Sequence, residues 1–339
     1  MSQPAVGDNE GVRVLVTGGC GFIGSHFVKR LVTRGDEVVV LDKLTYSGNL
    51  ANLDGVEHSF VHGDIADPVA VTGAGEGCDA VVNFAAETHV DRSILAAGEF
   101  IRTDVVGTHV LLEWARESGV PFVQVSTDEV YGDVPDGVAA SEDAPLRPSS
   151  PYAASKAGGD LQVLAYVRTF GTDARITRGA NTYGSFQYPE KLIPLFVTNA
   201  LDGEPLPVYG DGLQRREWLH VDDHCDAVEL VLRKGEAGAV YNIGGEEKEN
   251  LEVTRLILGL TDADPSLVRH VEDRPGHDRR YSVDSTRIEA LGWTRRRSFE
   301  EGLVETVTWY RDRRDWWEPI KSGAYRVYYE QQYAARLGE

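Results

Sequence analysis

Long apolar segments are the first thing that this chain of 339 residues lacks. No stretch approaches the roughly 20 consecutive apolar residues that a membrane-spanning helix needs. The polar start, MSQPAVGDNEG, also lacks the apolar core of a secretory signal peptide. We therefore expect a protein that neither crosses a membrane nor is exported through one.

Cysteine is scarce as well. The three residues of this type are Cys20, Cys78 and Cys225, an odd number with wide spacing. Such a set forms no disulfide framework and shows no metal-ligand pattern. We expect a protein of the reducing cytoplasm that holds no metal ion.

Positive charge is in short supply. The chain has 34 Lys and Arg residues against 54 Asp and Glu residues, which gives a formal net charge of −20. Nucleic acids and anionic membranes are polyanions, so this balance excludes both as partners. A small anionic ligand stays possible, provided that basic side chains and helix N-termini gather around it locally.

The residues that are present predict an α/β protein. Hydrophobic residues make up 42% and charged residues 26% of the chain, as in soluble globular proteins. Short, nearly continuous apolar segments alternate with segments of helical period, which is typical of a parallel, doubly wound sheet of the Rossmann type. The predicted strands are Val12–Thr17, Glu37–Asp42, Ala80–Phe84 and Phe122–Ser126, and the predicted helices are Phe22–Thr33 and Thr108–Ser118.

The second half of the chain is less regular. Proline and glycine become frequent after about residue 181. The pattern there still predicts a strand over Ala239–Ile243 and helices over Val221–Arg233, Leu251–Leu260 and Phe299–Asp315. We expect a smaller α/β lobe at the C-terminal end, interleaved with the first unit.

A glycine-rich loop follows the first predicted strand. Gly18, Gly21 and Gly24 are spaced as G-x-x-G-x-x-G at the start of a helix. The glycines allow a tight turn and let backbone N–H groups approach a pyrophosphate. Asp42 ends the second strand 18 positions after Gly24, where a carboxylate binds an adenosine ribose and repels a 2′-phosphate. The loop therefore predicts NAD binding, although Lys43 beside Asp42 leaves NADP open and an ordinary glycine turn is the alternative.

Further residues are predicted to contact the dinucleotide. Phe22 and Ile23 lie within the loop, between Gly21 and Gly24. Asp64 and Ile65 follow a short apolar stretch and would lie near the adenine, although Asp64 could equally be a strand-end cap. The next strand ends at Phe84, Ala85 and Ala86, and the small side chains there suit close passage of a cofactor.

Two segments carry candidate catalytic residues. Tyr152 and Lys156 are four residues apart, so they share one face of a helix. A Lys ammonium beside a phenol favours the phenolate, which would let Tyr152 act as a base nearer neutral pH. The string Ser126–Glu129 lies at the carboxyl end of a predicted strand, where open α/β sheets bind ligands. A chance Tyr–Lys pair and a solvated acidic loop are the alternatives.

The sequence resembles the extended short-chain dehydrogenase/reductases, and among them the dTDP-glucose 4,6-dehydratases. The Thr-Asp-Glu string is the most specific match, because related epimerases usually carry small hydroxyl residues there. The resemblance implies a homodimer that forms through helices near Thr103–Ser118 and Tyr152–Phe170. The matching segments are Ala85–Ile94, Ser126–Gly132, Ser149–Lys156, Pro189–Pro194, Gly210–Gly212, Trp218–Cys225 and Asp273–Asp278.

The resemblance also implies roles in a reaction that recycles NAD within one turnover. Tyr152 would take the proton of the C4 hydroxyl while hydride passes from C4 to NAD⁺. Lys156 would position the nicotinamide ribose and lower the pKa of Tyr152, and Thr127 would hydrogen-bond the C4 oxygen. Glu129 would then remove the C5 proton, and Asp128 would protonate the departing C6 hydroxyl before hydride returns to C6.

A third set of residues is implied for the nucleotide sugar. The basic residues of this set and Asn181 would lie near the diphosphate. Pro207 and Tyr209 would flank the base. The alternative for each basic residue is a solvated surface charge. The remaining candidates are the basic residues Lys191, Arg216 and Arg274, together with Glu87, His89, Leu192 and His277.

The chain departs from the family pattern in four places. Asp104 stands where asparagine is usual, and an ionised carboxylate only accepts hydrogen bonds whereas an amide also donates. Thr182 and Ser185 replace a usual Asn and Pro, and the loop around 246–250 is shorter and lacks an early Asn. These changes leave the nucleotide open, with a UDP-sugar as the alternative to dTDP-glucose.

Other activities on this fold remain as alternatives: another nucleotide-sugar dehydratase, a decarboxylase, a 4-epimerase or a non-catalytic NAD-binding regulator. Asp128 favours loss of water over decarboxylation, and a regulator need not retain Thr127, Tyr152 and Lys156 together. For the domains, we predict an NAD-binding unit over 11–180, to which 214–243 returns. The nucleotide-sugar lobe is predicted over 181–213 and 244–335.

Overall fold

The structure is a computed structural model that describes residues 11–337. Its centre is a seven-stranded, entirely parallel sheet with the spatial order β3-β2-β1-β4-β5-β6-β10. The order reverses between β1 and β4, which makes that point the switch of a doubly wound fold. The strands are β1 (Arg13–Thr17), β2 (Glu37–Asp42), β3 (Ser59–His62), β4 (Ala80–Asn83), β5 (Phe122–Thr127), β6 (Ala174–Gly179) and β10 (Val240–Ile243).

Helices cover both faces of this sheet. Apolar residues of α1 and α8 form one core with β1 and β5, and those of α2, α5 and α6 form a second core on the opposite face. The bounds are α1 (Phe22–Thr33), α2 (Pro68–Gly75), α3 (Val90–Leu95), α4 (Ala97–Ile101), α5 (Thr108–Ser118), α6 (Pro151–Phe170) and α8 (Val221–Lys234). A π-helical turn, Arg102–Gly107, joins α4 to α5. The predicted Rossmann-type architecture is confirmed.

The smaller unit is built around a separate apolar core. Its three-stranded sheet has the order β11-β9-β7, and β8 pairs with β12 in parallel. The strands are β7 (Asn181–Tyr183), β8 (Leu206–Tyr209), β9 (Arg215–His220), β11 (Glu246–Glu249) and β12 (Val268–Val271). The helices that follow or surround them are α7 (Leu192–Asp202), α9 (Asn250–Thr261), α11 (Phe299–Asp312), α12 (Arg314–Trp317) and α13 (Ala324–Leu337). Helix α10 (Thr286–Ala290) packs instead against β10 of the main sheet.

The two units are interleaved along the chain. β9 pairs with β7 and β11 in the smaller unit, and the chain returns to the main sheet through α8 and β10. Residues 214–220, which were predicted to return to the first unit, therefore lie with the smaller sheet. The helix predicted over Phe299–Asp315 ends at Asp312, and a new short helix begins at Arg314. The functional division into cofactor and substrate units stays a prediction.

Candidate active site

One cleft runs along the carboxyl ends of the main strands and collects most of the predicted site residues. It contains the glycine loop, the ends of β2, β4 and β5, and the start of α6. The predicted residues that line it are Gly18, Gly21, Phe22, Ile23, Gly24, Asp42, Lys43, Asp64, Ile65, Phe84, Ala85, Ala86, Glu87, Thr127, Asp128, Glu129, Tyr152, Lys156, Asn181, Lys191 and Leu192.

The glycine loop is shaped by close backbone approaches. A Cβ on Gly24 would lie 2.2 Å from the carbonyl oxygen of Gly18, and a Cβ on Gly18 would lie 2.6 Å from the backbone N of Ala85. Gly18 also has φ +68°, which favours glycine. Gly21 is the N-cap of α1 and offers no side chain, so the first N–H groups of the helix stay available to an anion.

Asp42 and Asp64 are already held by the protein. The two oxygens of Asp42 accept the backbone N–H groups of Cys20, at 2.9 Å, and Leu44, at 2.8 Å. Burial nevertheless raises the pKa of Asp42 above its usual value, against the effect of these two bonds. Asp64 forms ion pairs with Lys43, at 3.0 Å, and Arg102. Lys43 is thereby turned toward Asp64, which supplies it with a counter-charge.

Helix α6 positions the Tyr–Lys pair. Ser150 caps the helix by accepting the N–H of Ala153 at 3.1 Å, and Pro151 begins its first turn, which places Tyr152 at the mouth of the cleft. One turn later, Lys156 donates from Nζ to the carbonyl oxygen of Val125 at 2.7 Å. Both side chains are buried.

The acidity of Tyr152 differs from what the sequence predicts. Its pKa is raised well above the ordinary value, first because the phenol is buried and then because Glu129, Asp104 and Asp128 carry negative charge nearby. A hydrogen bond with Thr127 acts in the opposite direction. Burial and the neighbouring carboxyl groups therefore raise the pKa of Tyr152, whereas the sequence predicts that Lys156 lowers it.

The acidic string forms a tight turn directly after β5. The hydroxyl of Thr127 accepts the N–H of Glu129 at 3.2 Å, which starts a 3₁₀ turn over Asp128–Tyr131. The same hydroxyl lies 3.1 Å from Oδ1 of Asp128. Asp128 is 2% exposed and Glu129 is half-buried. The two adjacent acids therefore occupy different environments.

Burial is the main reason that the pKa of Asp128 lies well above its usual value, and the charges of Glu129 and Glu217 add to the effect. These effects favour the protonated form of Asp128 relative to an exposed carboxyl group. Oδ2 of Asp128 is buried and has no hydrogen-bond partner within residues 11–337. The turn thus offers a proton donor beside a more exposed carboxylate.

A buried network holds this turn from behind. Arg178 donates from Nε to Asp160 at 2.8 Å and from Nη1 to the hydroxyl of Tyr131 at 2.7 Å. Tyr131 in turn donates to Asn242 at 2.7 Å. Because Tyr131 ends the 3₁₀ turn, the network ties the acidic string to β6 and β10.

The predicted basic residues lie close together. Arg216 is 4% exposed, and its guanidinium stacks over the ring of Tyr281 at 4.2 Å. Arg274 pairs with Asp91 at 3.2 Å, while its buried Nε has no partner among the described residues. Burial and the charges of Arg274 and Arg216 lower the pKa of His277 to about 4, and burial lowers the pKa of Lys191.

Pro207 and Tyr209, which were predicted to flank the base, lie on β8 and do not line the cleft. The cleft lining also lacks His89, Arg216, Arg274 and His277. The hydroxyl of Tyr209 donates to Asp91 at 2.9 Å and accepts from Gln332 of α13 at 2.9 Å. His89 lies 3.3 Å from the hydroxyl of Tyr328, also on α13. The C-terminal helix therefore packs against Tyr209 and His89.

Asp104 occupies the π-helical turn beside α6. Ser155 donates to its Oδ2 at 2.6 Å, and Oδ1 is buried without a partner in the described chain. Burial raises the pKa of Asp104 to about 6, although the charge of Lys156 lowers it. The charge of Asp104 contributes to a raised pKa of about 7 for Glu87, where burial is the larger cause.

Several residues that line the cleft were not predicted from the sequence. Most of them lie in loops or beside strand and helix ends, where no periodic pattern marks a single residue. Glu190, Trp218 and His224 had a signal, because they lie within the matching segments Pro189–Pro194 and Trp218–Cys225. Glu190 accepts hydrogen bonds from Arg92 and Tyr46. The others include Thr45, Ser47, Gly48, Thr103, Gln187 and Tyr188.

The described residues were also compared with the requirements of a metal site and of a membrane-spanning helix. Among residues 11–337, no group of three or more His, Cys, Asp or Glu side chains is placed to hold a metal ion. No described helix combines the length and the apolar character that crossing a membrane requires.

Comparison with known proteins gives a consistent result. The model of the NAD dependent epimerase/dehydratase family matches residues 14–244. A dTDP-glucose 4,6-dehydratase of Streptomyces niveus is 55% identical over 324 residues, which cover 92% of this chain and 96% of that protein.

Solved structures agree with the sequence relatives. The crystal structure of DesIV, a dTDP-glucose 4,6-dehydratase from Streptomyces venezuelae with NAD and TYD bound, is 55% identical with a TM-score of 0.89 and covers 91% of this chain and 100% of that one. A UDP-glucose 4-epimerase of Thermus thermophilus in complex with NAD is 34% identical with a TM-score of 0.85, over 89% and 100% of the two chains.

Proposed function

The chain belongs to the NAD dependent epimerase/dehydratase family, and within it we propose an NAD-dependent nucleotide-sugar 4,6-dehydratase. The substrate is dTDP-glucose, and the products are dTDP-4-keto-6-deoxyglucose and water. The Streptomyces niveus relative, 55% identical over 96% of its length, is a dTDP-glucose 4,6-dehydratase, and DesIV binds both NAD and a TDP ligand. The enzyme is a hydro-lyase that serves deoxysugar biosynthesis.

The cleft fits NAD. The loop packs so closely at Gly18 and Gly24 that side chains there would collide with backbone, which leaves an uncapped helix N-terminus open to a pyrophosphate. Asp42 lies at the end of β2, where the ribose of the adenosine binds in this fold, and disfavours a 2′-phosphate. Bound NAD⁺ supplies a hydride acceptor for C4 that later returns the hydride to C6.

The chain's own residues move the protons. Tyr152 takes the proton of the C4 hydroxyl, with Thr127 hydrogen-bonded to the same oxygen and Lys156 on the ribose side. The resulting ketone acidifies the C5 proton, which Glu129 removes. Asp128 donates a proton to the C6 hydroxyl, which leaves as water.

One observation carries this assignment more than any other. An acid catalyst must enter the reaction protonated and a base catalyst must enter it ionised. Burial raises the pKa of Asp128 well above its usual value, and the charge of Glu129 beside it adds to this effect, so the site favours the protonated form of Asp128. Asp128 is 2% exposed whereas Glu129 is half-buried, and two adjacent acids in different environments suit an elimination of water.

The buried basic side chains support a diphosphate as part of the ligand. In a chain of net charge −20, buried cations need a specific counter-charge. Lys191, Arg216 and Arg274 lie together, and Asp91 pairs with only one of them. A diphosphate supplies the negative charge that this group of side chains requires.

The assembly and location are also proposals. We infer a homodimer through α5 and α6, because α6 leaves Leu161 57% and Phe170 56% exposed, and Ala165 and part of Leu164 also face outward. Ala157, which was expected on this surface, is buried instead. We place the protein in the cytoplasm, where its three buried cysteines stay reduced.

A UDP-sugar 4,6-dehydratase is the second candidate. Thr182, Ser185 and the 246–250 loop depart from the family pattern on the nucleotide side, and Asp104 departs beside α6. A 4-epimerase or decarboxylase on this fold needs no acid like Asp128, and a non-catalytic NAD-binding regulator needs none of the catalytic groups.

Purified protein, incubated separately with dTDP-glucose and with UDP-glucose, tests the proposal by NMR detection of the 4-keto-6-deoxy product. We expect product from dTDP-glucose. We also expect Tyr152→Phe to slow it by about 10²–10⁴-fold, as is usual when a positioned base is lost. Product from UDP-glucose alone would replace the substrate assignment, and no product from either would overturn the dehydratase assignment.

A further inference from the structure

A histidine with no role in the proton transfers lies at the end of the cleft that holds Thr127. His224 is in the first turn of α8 and lines the same cleft as Tyr152 and Lys156. Its ring packs directly over Gly179, the last residue of β6. Gly179 pairs with Thr127 across the sheet, so the ring lies beside the catalytic edge.

The ring occupies the space of a missing side chain. A Cβ on Gly179 would lie 2.6 Å from Cε1 and 2.7 Å from Nε2 of His224. Those distances are too short for any residue other than glycine at this position. Gly179 therefore lets an imidazole, rather than a side chain of β6, form this part of the cleft wall.

The hydrogen bonds of Thr182 determine which ring nitrogen carries the proton. The hydroxyl of Thr182 donates to the carbonyl oxygen of Ala180 at 3.1 Å. Its remaining contact, 2.8 Å to Nδ1 of His224, must then be one in which the hydroxyl accepts. Nδ1 consequently carries the hydrogen, and Nε2 presents a lone pair.

Nε2 lacks a hydrogen-bond partner in the described part of the chain although it is buried. Burial also lowers the pKa of His224 to about 4, so the ring is neutral when the enzyme works near neutral pH. A buried acceptor without a donor is destabilising, and a ligand that donates a hydrogen bond removes that cost.

We propose that His224 binds the carboxamide of the nicotinamide, with Nε2 accepting one N–H of the amide. The carboxamide is the group of the nicotinamide ring that carries N–H donors. Thr182, which stands where the related sequences usually have Asn, then acts as a positioning residue that fixes the tautomer of His224. The inference rests on the proposed function only in requiring that NAD binds in this cleft.

The test uses full-length protein stripped of cofactor and two ligands, NAD⁺ and its 3-acetylpyridine analogue. The analogue carries a methyl ketone in place of the amide and so has no N–H to donate. Dissociation constants are measured by calorimetric titration. We expect wild-type protein to prefer NAD⁺ by about tenfold, the usual value of one hydrogen bond, and His224→Phe to lose that preference while binding the analogue as before.

A second pair of variants keeps the inference testable if His224→Phe fails to fold. Thr182→Ser retains the hydroxyl and should keep the preference for NAD⁺, whereas Thr182→Val loses it and should reduce the preference. An unchanged preference in folded His224→Phe, or in Thr182→Val, overturns the inference while NAD binding stands. Wild-type protein that binds neither ligand overturns the proposed function as well.

Discussion

At the scale of the residue, burial decides which groups hold protons. Tyr152 and Asp128 are both buried, and negative neighbours raise the pKa of each. For Asp128 this favours the protonated form that an acid catalyst needs. For Tyr152 it opposes the loss of a proton, so neutralising a neighbouring carboxyl group should make Tyr152 a better base.

The division of labour between the two acids is open to direct test. Asp128→Asn removes the proton donor for the C6 hydroxyl, and Glu129→Gln removes the base for C5. Both variants should still form NADH at the start of turnover, while product formation falls by about 10²–10⁴-fold. The measurement is absorbance of NADH in stopped flow, followed by product analysis.

A 6-fluoro-6-deoxy analogue of the substrate separates the two roles, because fluoride leaves with less help from an acid than hydroxide does. It should restore turnover in Asp128→Asn and leave Glu129→Gln slow. An equal response of the two variants would contradict the assigned roles.

Asp104 gives a prediction about pH. Its pKa in the folded protein is about 6, above the ordinary value of 3.8, because it is buried. Folding therefore favours its neutral form, so its ionisation costs stability as pH rises from about 4 through 6. Asp104→Asn should be more stable than wild type at pH 8, by on the order of 3 kcal/mol, and this advantage should vanish near pH 4. Urea unfolding at the two pH values measures it.

The same substitution has a functional consequence, since the charge of Asp104 raises the pKa of Tyr152. The initial hydride transfer in Asp104→Asn should reach its plateau at lower pH than in wild type. A stability advantage that is the same at pH 4 and pH 8 would mean that Asp104 is not ionised in the folded protein at pH 8.

Site residues could be predicted from the sequence where a chemically suitable residue type lies at the end of a predicted strand. The cofactor and catalytic candidates all line one cleft, because strand ends in an open α/β sheet meet at one edge. Protonation was not predictable, since the sequence does not show how many carboxyl groups surround Tyr152. His224 also escaped notice, because its interest comes from Gly179 and Thr182, which lie far from it in the chain.

At the scale of the element, the turn between β1 and α1 is the part of the fold least tolerant of change. Gly24→Ala would place a methyl group 2.2 Å from the oxygen of Gly18, a backbone atom that cannot move aside. We expect the variant to bind NAD at least tenfold more weakly, as measured by calorimetric titration. The turn must open to admit the methyl group, which disturbs the N–H groups at the start of α1.

A matched control comes from Gly259 in α9, where a Cβ would meet nothing within 4 Å. Gly259→Ala should leave NAD affinity unchanged and should stabilise the helix by about 0.5–1 kcal/mol. Normal NAD affinity in Gly24→Ala would show that the turn does not form the pyrophosphate site.

Elements were predictable in proportion to their periodicity. Strands β1, β2, β4 and β5 and helices α1 and α5 lie within one or two residues of their predicted bounds, because each carries a strong apolar pattern. The strands of the smaller unit are three to six residues long, and β11 reads Glu-Glu-Lys-Glu. The pairing of β11 with β9 depends on tertiary contacts, which no local sequence pattern predicts.

At the scale of the whole molecule, charge and exposed apolar surface point to different partners. The net charge of −20 favours solubility, and the basic residues that face inward select a small anion. Two of the exposed apolar residues, Leu161 and Phe170, lie on α6 and are both more than half exposed. Such a face on an otherwise acidic surface suits a second copy of the chain.

The dimer can be tested with one charge. Leu161→Glu should convert the protein to a monomer, because it places a carboxylate in the middle of the α6 face. Val304→Glu is the control, since Val304 is similarly exposed, at 48%, but lies on α11. Light scattering after size exclusion reports the mass; a wild-type monomer, or a Leu161→Glu dimer of normal strength, would contradict the α6 interface.

The central claim is that one active site oxidises C4, removes water across C5 and C6, and reduces C6 with the same hydride. The measurement that tests it most directly uses dTDP-glucose carrying deuterium at C4, with mass and NMR analysis of the product. The account predicts deuterium at C6 of dTDP-4-keto-6-deoxyglucose and a solvent-derived hydrogen at C5, without added NADH. Deuterium that is lost to solvent, or that stays at C4 of an intact sugar, would contradict it.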